Sequence, residues 1–293
     1  MKTRPIRRAA SLLGLVSLLS LMPGCSGPRL LTTFAAPIGA DITVTRDLAY
    51  GPAPKQTLDI YRPEGQGPFP VLVFVHGGAW NSGSRQGYAF AGERYAAEGY
   101  LTAVIGYRLV PEVTYPAFVE DTALAISYVH ANAAAYGGTR ETLFAVGHSA
   151  GAYNVVQAAL APEVWPAGKS PAILDAVIGL AGPYDFLPLG RDSARAAFGG
   201  TPDLGTTQPV NRVTKDAPPM LLVYGQRDKS VGPTNIASME AALKAAKVPV
   251  ETIIYPDTNH ADLVIGMAFP GRNSVVADTV QFMQKAATTD VQD

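Results

Sequence analysis

The feature that most constrains the fold is an apolar run that ends in a glycine-flanked serine. Leu143-Phe144-Ala145-Val146 is followed directly by Gly147-His148-Ser149-Ala150-Gly151. The apolar run predicts a short buried strand, and the residues beyond it predict a helix, so the chain must turn sharply at Ser149. The flanking glycines let the backbone pass closely enough for such a turn. The turn would present Ser149 beside the N–H groups that begin a helix, which makes it a candidate nucleophile. The pattern alone also suits an ordinary strand-to-helix turn.

A second motif lies upstream, again at the end of an apolar run. Val71-Leu72-Val73-Phe74-Val75 predicts a buried parallel strand, and His76-Gly77-Gly78-Ala79-Trp80 follows it. Glycines suit a turn in which backbone N–H groups must approach a substrate oxygen with no Cβ in the way. The alternative is that these glycines only form a turn at the end of a strand and have no catalytic role. The occurrence of both motifs, in this order and each after a buried strand, favours the functional interpretation.

Two more predicted strands each precede a titratable residue. The strand Pro219–Tyr224 runs into Asp228, and the strand Val250–Tyr255 runs into His260. The chain order serine, acid, histidine is the order found in α/β-hydrolases. The chain therefore resembles the α/β-hydrolases over roughly residues 50–288. Within that superfamily it is most similar to small esterases with an HGGxW-type loop, which include feruloyl-esterase-like carboxylesterases, the hormone-sensitive-lipase-like group and arylformamidases.

The resemblance implies an α/β fold with a mainly parallel central sheet of about eight strands flanked by helices. The alternation of predicted strands and helices along the chain agrees with this expectation. It includes a strand at Ile173–Leu180 and, toward the end of the chain, helices at about Thr234–Ala246 and Val275–Ala287. Residues 181–218 break the alternation, because they hold several prolines and glycines and one short helical possibility. We expect them to form a small lid over the site; the alternative is a surface loop that has no functional role.

The predicted roles follow the serine-hydrolase pattern. Ser149 is the candidate nucleophile and His260 its base, since the other three histidines lie in the two motifs and inside a predicted helix. Asp228 is expected to accept the Nδ1–H of His260 and to hold its tautomer. Asp257 and Asp262 are rival acids, although residues so close to the histidine in sequence rarely reach the correct ring nitrogen.

The oxyanion hole is predicted from backbone N–H groups. One belongs to Ala150, which follows the nucleophile, and the resemblance implies two more at Gly78 and Ala79. Trp80 is expected to line the substrate pocket, or else simply to pack beneath the loop. These features predict a serine carboxylesterase that acts on small-molecule esters through an acyl-enzyme, without a metal or organic cofactor. The alternatives are an arylformamidase or other amidase, and a non-catalytic binding protein with the same fold.

The beginning of the chain predicts export. Residues 1–24 combine four basic residues with an apolar stretch from Ala9 to Leu21, as a signal peptide does. Gly24 precedes Cys25, the only cysteine of 293 residues, where the sequence resembles an imperfect bacterial lipoprotein cleavage site. An ordinary secretory signal cut nearby is the alternative. We expect residues 25–41 to form a tether and residues 42–288 to form the hydrolase domain.

We expect the protein to be a bacterial lipoprotein that a lipid anchor at Cys25 holds at a membrane. The alternative is a protein that lies free in the periplasm or is secreted into the medium. Cleavage before Cys25 would remove four of the 23 basic residues and none of the 24 acidic ones. The remaining chain would carry 19 basic and 24 acidic residues, a net charge of −5. This mildly acidic balance argues against nucleic acid as a partner.

Overall fold

A computed structural model of the chain describes residue 35, residues 41–269 and residues 271–289. The predicted signal peptide, Cys25 and almost all of the predicted tether lie outside the described residues. Within the described ranges, no helix is both long and apolar enough to cross a bilayer.

Eight strands form one sheet in the order β1-β2-β4-β3-β5-β6-β7-β8, which confirms the predicted sheet. The strands are β1 Ile42–Ala49, β2 Thr57–Pro63, β3 Phe69–Val75, β4 Leu101–Ile105, β5 Gly138–His148, β6 Ala176–Leu180, β7 Met220–Gly225 and β8 Val250–Tyr255. The pairs β1–β2 and β2–β4 are antiparallel, and every other neighbouring pair is parallel. The carboxyl ends of strands β3 to β8 therefore lie along one edge of the sheet.

The sheet is buried on both faces, and its central strand β3 is apolar at every position. In β3, Val71, Val73 and Val75 belong to one hydrophobic cluster, whereas Leu72 and Phe74 belong to the cluster on the opposite face. All five side chains are fully buried. A continuous apolar run, rather than an alternation of apolar and polar residues, is what a parallel strand covered on both sides requires.

Seven α-helices of the described part cover the sheet: α1 Ala89–Ala97, α2 Ala117–Asn132, α3 Ala150–Leu160, α4 Asp192–Phe198, α5 Thr234–Ala245, α6 Asp262–Ala268 and α7 Val275–Thr289. Helices α2, α3 and α5 bury side chains such as Phe118, Val155 and Met239 in the first cluster. Helices α1, α6 and α7 bury side chains such as Tyr95 and Met283 in the second.

Two local details differ from the sequence expectations. The strand expected from Ile173 begins only at Ala176, because residues 171–173 form a 3₁₀ turn that Ser170 caps through its side chain. Helix α6 has no counterpart among the helices that the sequence predicts. It lies immediately after His260 and is buried over most of its length.

Candidate active site

The candidate residues lie at the carboxyl ends of four parallel strands. The turn after β3 carries Gly78 and Ala79, Ser149 follows β5, Asp228 follows β7, and His260 follows β8. Because these strands run in the same direction, their ends bring together residues that are up to 182 positions apart in the chain. This is the edge at which open parallel sheets place their ligands.

Ser149 lies in a strained turn between β5 and α3. Its φ is 55° and its ψ is −120°, a conformation that non-glycine residues rarely adopt. The backbone N–H of Ser149 donates to Leu180 O at 2.8 Å, which ties the turn to the end of β6. A Cβ on Gly147 would lie 2.2 Å from Gly151 O, and a Cβ on Gly151 would lie 2.1 Å from Val75 O. Both flanking positions therefore require glycine.

A chain of two hydrogen bonds connects the serine, the histidine and the acid. His260 Nε2 lies 2.9 Å from Ser149 Oγ, and His260 Nδ1 lies 2.6 Å from Asp228 Oδ2. The Asp228 side chain is fully buried, whereas that of His260 is 20% exposed. An ionised carboxylate only accepts hydrogen bonds, so Nδ1 must carry the proton and Nε2 is left to accept from the serine hydroxyl. The arrangement suits a serine that loses its proton to the imidazole as it attacks.

The loop after β7 keeps the Asp228 carboxyl ionised. Burial by itself would raise the pKa of this carboxyl. The hydrogen bond from His260, the charge of that ring, and the backbone N–H groups of Val231 and Ser230 outweigh burial and hold the pKa below its usual value. The two backbone donors lie 3.0 Å and 2.6 Å from Asp228 Oδ1. Asp228 is therefore a fixed acceptor for the histidine.

The two alternative acids, Asp257 and Asp262, contact other residues and not the His260 imidazole. Asp257 is exposed and pairs with Arg227 at 2.5 Å. Asp262 accepts from the N–H of Asn259 at 3.0 Å, and Asn259 in turn accepts from the N–H groups of Ala261 and Asp262. The side chains of Asn259 and Asp262 thus brace the turn that holds His260, and Asp228 is the acid that contacts the imidazole.

The turn after β3 directs its backbone toward the serine. Ala79 and Trp80 both have positive φ, 50° and 60°. Gly78 O accepts from the N–H groups of Asn81 and Ser82 and from Ser82 Oγ, at 2.8 to 3.1 Å, which closes the turn. Among the described residues, no acceptor is bonded to the N–H of Gly78 or Ala79. Both residues and Ala150 line the same cavity as Ser149. The structure thus brings together the three residues of the predicted oxyanion hole.

Trp80 both packs beneath its loop and contributes to the cavity wall. The side chain is only 5% exposed, and its Nε1–H donates to Asn154 Oδ1 at 3.1 Å. Its ring lies edge-on to Phe198 at 4.7 Å between centroids and stacks with Phe186 at 6.2 Å. Because Phe186 and Phe198 belong to residues 181–218, this indole joins the expected lid to the loop after β3.

His148 contacts the backbone of His260, the candidate base, and the sequence did not indicate this contact. Its Nε2 lies 3.1 Å from His260 O, and its Nδ1 lies 2.9 Å from the hydroxyl of Tyr88. The His260 carbonyl can only accept, so Nε2 carries the proton of the neutral ring and donates to it, and Nδ1 accepts from the Tyr88 hydroxyl. Burial, followed by the nearby His260 ring, lowers the pKa of His148 to about 3. His148 is therefore neutral at neutral pH and braces the backbone of His260.

The four strand ends and residues 181–218 enclose a cavity of about 510 Å³. Ser149, His260, Gly78 and Ala79 line one part of it. Trp80 and apolar residues of the 181–218 segment, Pro183, Phe186, Pro188 and Ala194, line another. The volume suits a small organic molecule. Across the described ranges, no three His, Cys, Asp or Glu side chains are grouped to hold a metal ion.

The chain is similar to known proteins in family, sequence and structure. The family model BD-FAE matches residues 58–243. Esterase LipC of Mycobacterium tuberculosis is 33% identical over 246 residues, which cover 75% of this chain and 60% of LipC. Isoprenylcysteine alpha-carbonyl methylesterase ICME of Arabidopsis thaliana is 28% identical over 271 residues, which cover 84% of this chain and 63% of ICME. The chain thus spans about three-fifths of the length of these relatives.

Solved structures share the fold. Esterase B of Lactobacillus rhamnosis superposes with a TM-score of 0.79 over 97% of this chain and 96% of that protein, at 18% identity. A carbohydrate esterase from gut microbiota superposes with a TM-score of 0.75 over 87% of this chain and 99% of that protein, at 21% identity. The similarity therefore extends over almost the whole of the described chain.

Proposed function

The chain belongs to the BD-FAE family, and from this premise we propose that it is a serine carboxylesterase that hydrolyses small esters through an acyl-enzyme. The observation that carries the proposal is the hydrogen-bonded series Ser149–His260–Asp228 at the wall of a cavity. Esterases among the relatives of the chain, such as LipC, support the same class of reaction.

In the first half of the proposed reaction, the Ser149 hydroxyl attacks the ester carbonyl while His260 Nε2 takes its proton. A bond forms between Ser149 Oγ and the carbonyl carbon, and the carbonyl oxygen becomes an oxyanion. The N–H groups of Gly78, Ala79 and Ala150 stabilise this oxyanion, each by about 3 kcal/mol. The tetrahedral intermediate then breaks its bond to the alcohol oxygen, which leaves with the proton from His260.

In the second half, water hydrolyses the acyl-enzyme. His260 takes a proton from the water as the water oxygen attacks the acyl carbon, and the same N–H groups stabilise the second oxyanion. The bond to Ser149 Oγ breaks, the serine recovers its proton from His260, and the carboxylic acid leaves. Asp228 stays ionised throughout and stabilises the imidazolium that forms twice per cycle.

The test is the hydrolysis of p-nitrophenyl esters of increasing acyl length by the purified protein. We expect turnover with short acyl chains by the wild type and none above background by Ser149→Ala. Ser170→Ala removes a hydroxyl from a surface turn and serves as the matched control with full activity. Turnover that survives in Ser149→Ala would contradict the proposal. N-formylkynurenine in the same panel tests formamide hydrolysis, and faster turnover of this substrate than of every ester would replace the carboxylesterase with an arylformamidase.

We also propose that the protein is exported and anchored by lipid at Cys25. The support comes from sequence: four basic residues, an apolar stretch of signal-peptide length, and Gly24 before the only cysteine. A lipid-modified N-terminus carries more than one acyl chain, which is enough to hold a protein at a membrane.

Mass spectrometry of the mature protein tests this proposal. We expect the protein in the membrane fraction, with an N-terminal peptide that begins at a lipid-modified Cys25. Cys25→Ser should move the protein out of that fraction without loss of esterase activity. A soluble wild-type protein that begins at another residue would contradict the anchor.

A further inference from the structure

One cationic side chain lines the cavity described above. Arg191 is the only Lys, Arg, Asp or Glu among the described residues that form its wall. Arg191 precedes helix α4 and is exposed. A residue that both lines a cavity and faces solvent lies at its opening. Among the described residues that form the wall there is no Asp or Glu, so no acidic side chain of the wall itself repels an anion.

The guanidinium of Arg191 is held in place but not neutralised. One of its Nη2–H groups donates to Lys229 O at 3.2 Å. A guanidinium has five N–H donors, and the others have no acceptor in the part of the chain that the structure describes. The neighbouring acid, Asp192, pairs instead with Arg195 one turn along α4. The positive charge at the opening is therefore available to a ligand.

The hydrogen bond to Lys229 O places this charge near the catalytic loop. Lys229 directly follows Asp228, and Ser230 lines the cavity. Ser230 and Ser193, the latter two residues after Arg191, also line the wall, and neither hydroxyl has a hydrogen-bond partner among the described residues. A cation and two free hydroxyls thus share the side of the cavity formed by residues 191–193 and 229–230. Trp80, Pro183 and Phe186 make other parts of the wall apolar.

From this arrangement we propose that the cavity selects esters that carry a second, negatively charged group, a carboxylate, which Arg191 binds at the opening. The inference rests on the proposed esterase function. The guanidinium can hold a carboxylate through two parallel N–H donors, a geometry that lysine does not offer. Ser193 and Ser230 can add hydroxyl donors. Because the chain beyond residue 24 carries a net charge of −5, an anionic substrate depends on this local cation for its attraction.

The test compares two ethyl esters of matched size. Monoethyl glutarate carries a carboxylate at neutral pH, and ethyl 5-amino-5-oxopentanoate carries a neutral amide at the same place. We expect the wild type to have a higher kcat/KM for the carboxylate ester, by roughly five- to tenfold. Arg191→Gln should remove this preference, because it should lower kcat/KM for the carboxylate ester far more than kcat/KM for the amide ester. Arg191→Lys should keep part of the preference, because lysine keeps the positive charge but lacks the two parallel N–H donors of the guanidinium.

Arg140→Gln is the matched control. It removes an exposed arginine that, like Arg191, donates to a backbone carbonyl, that of Ala131, and that does not line the cavity, so the preference should survive. Raising the ionic strength from 50 to 500 mM should weaken the preference of the wild type, since salt screens charges at an exposed site. Equal kcat/KM values for the two esters in the wild type, or an undiminished preference in Arg191→Gln, would overturn the inference. If neither of these esters nor any neutral p-nitrophenyl ester is hydrolysed, the proposed esterase function itself fails.

Discussion

Acid should destabilise this protein through two histidines that the fold keeps neutral. His148 and His76 are 4% and 1% exposed. Burial lowers the pKa of His76 to about 4 against the opposing hydrogen bond to Gly77 O, and burial together with His260 lowers that of His148 to about 3. In the unfolded chain both rings have a pKa of about 6.5. The unfolded state therefore binds protons below pH 6.5 that the folded state does not.

The magnitude follows from the two pKa differences. Stability that is fully present above pH 6.5 is lost as the pH falls, by up to about 1.4 kcal/mol per pH unit for each histidine. Between pH 7 and pH 5 each ring costs about 2 kcal/mol, so the two together lower the free energy of unfolding by about 4 kcal/mol. Glu93 acts in the opposite direction, because burial raises its carboxyl pKa and the folded state holds that proton more tightly.

Urea unfolding at several pH values between 5 and 7 measures this effect. The two tryptophans of the chain, Trp80 and Trp165, are both buried and report unfolding by fluorescence. At pH 5 to 5.5 the slope should correspond to nearly two protons taken up on unfolding. His148→Gln should reduce it to nearly one, and Glu93→Gln can only steepen it. The same slope in His148→Gln as in the wild type would show that this ring is not held neutral and would refute the reasoning.

Four substitutions test the catalytic arrangement through steady-state kinetics on a p-nitrophenyl ester. Ser149→Ala should lower turnover by a factor on the order of 10⁶ with the fold intact by circular dichroism. Asp228→Asn should cost about 10⁴-fold because the imidazole then adopts the wrong tautomer, whereas Asp257→Asn should stay close to wild type; the reverse result would mean that the acid is misassigned. Tyr88→Phe removes the donor to His148 Nδ1 and should lower kcat about fivefold with little change in KM; an unchanged kcat would show that this brace has no part in catalysis.

The sheet and the positions of the main site residues could be predicted because each rests on a local signal. A buried parallel strand is recognisable in the sequence as an apolar run, as in β3 and β5. The residue that follows the run lies at the edge of the sheet where the active site is. The glycines around Ser149 are required by backbone contacts with neighbouring strands and helix. Strand order and helix placement then follow from the short, right-handed connections that parallel sheets require.

Other parts of the site could not be predicted because they depend on contacts between distant segments. Tyr88 meets His148 across 60 residues, and His148 meets the backbone of His260 across 112. Trp80 packs against Phe198 of the 181–218 segment. The apolar residues of this segment show no helical or strand periodicity from which its fold could be predicted. Helix α6 is only seven residues long and is held by Asn259 and Asn273, so its sequence offers too little periodicity to indicate it.

The central claim is that Ser149 is the nucleophile, and covalent labelling tests it most directly. The purified protein is treated with a fluorophosphonate ester, digested, and the modified peptide is identified by mass spectrometry. Attack by an activated serine gives a single phosphonylated residue, and we predict that it is Ser149, with labelling abolished in Ser149→Ala and strongly slowed in Asp228→Asn. Stoichiometric modification of any other residue, or an unlabelled wild-type protein that still hydrolyses esters, would contradict the claim.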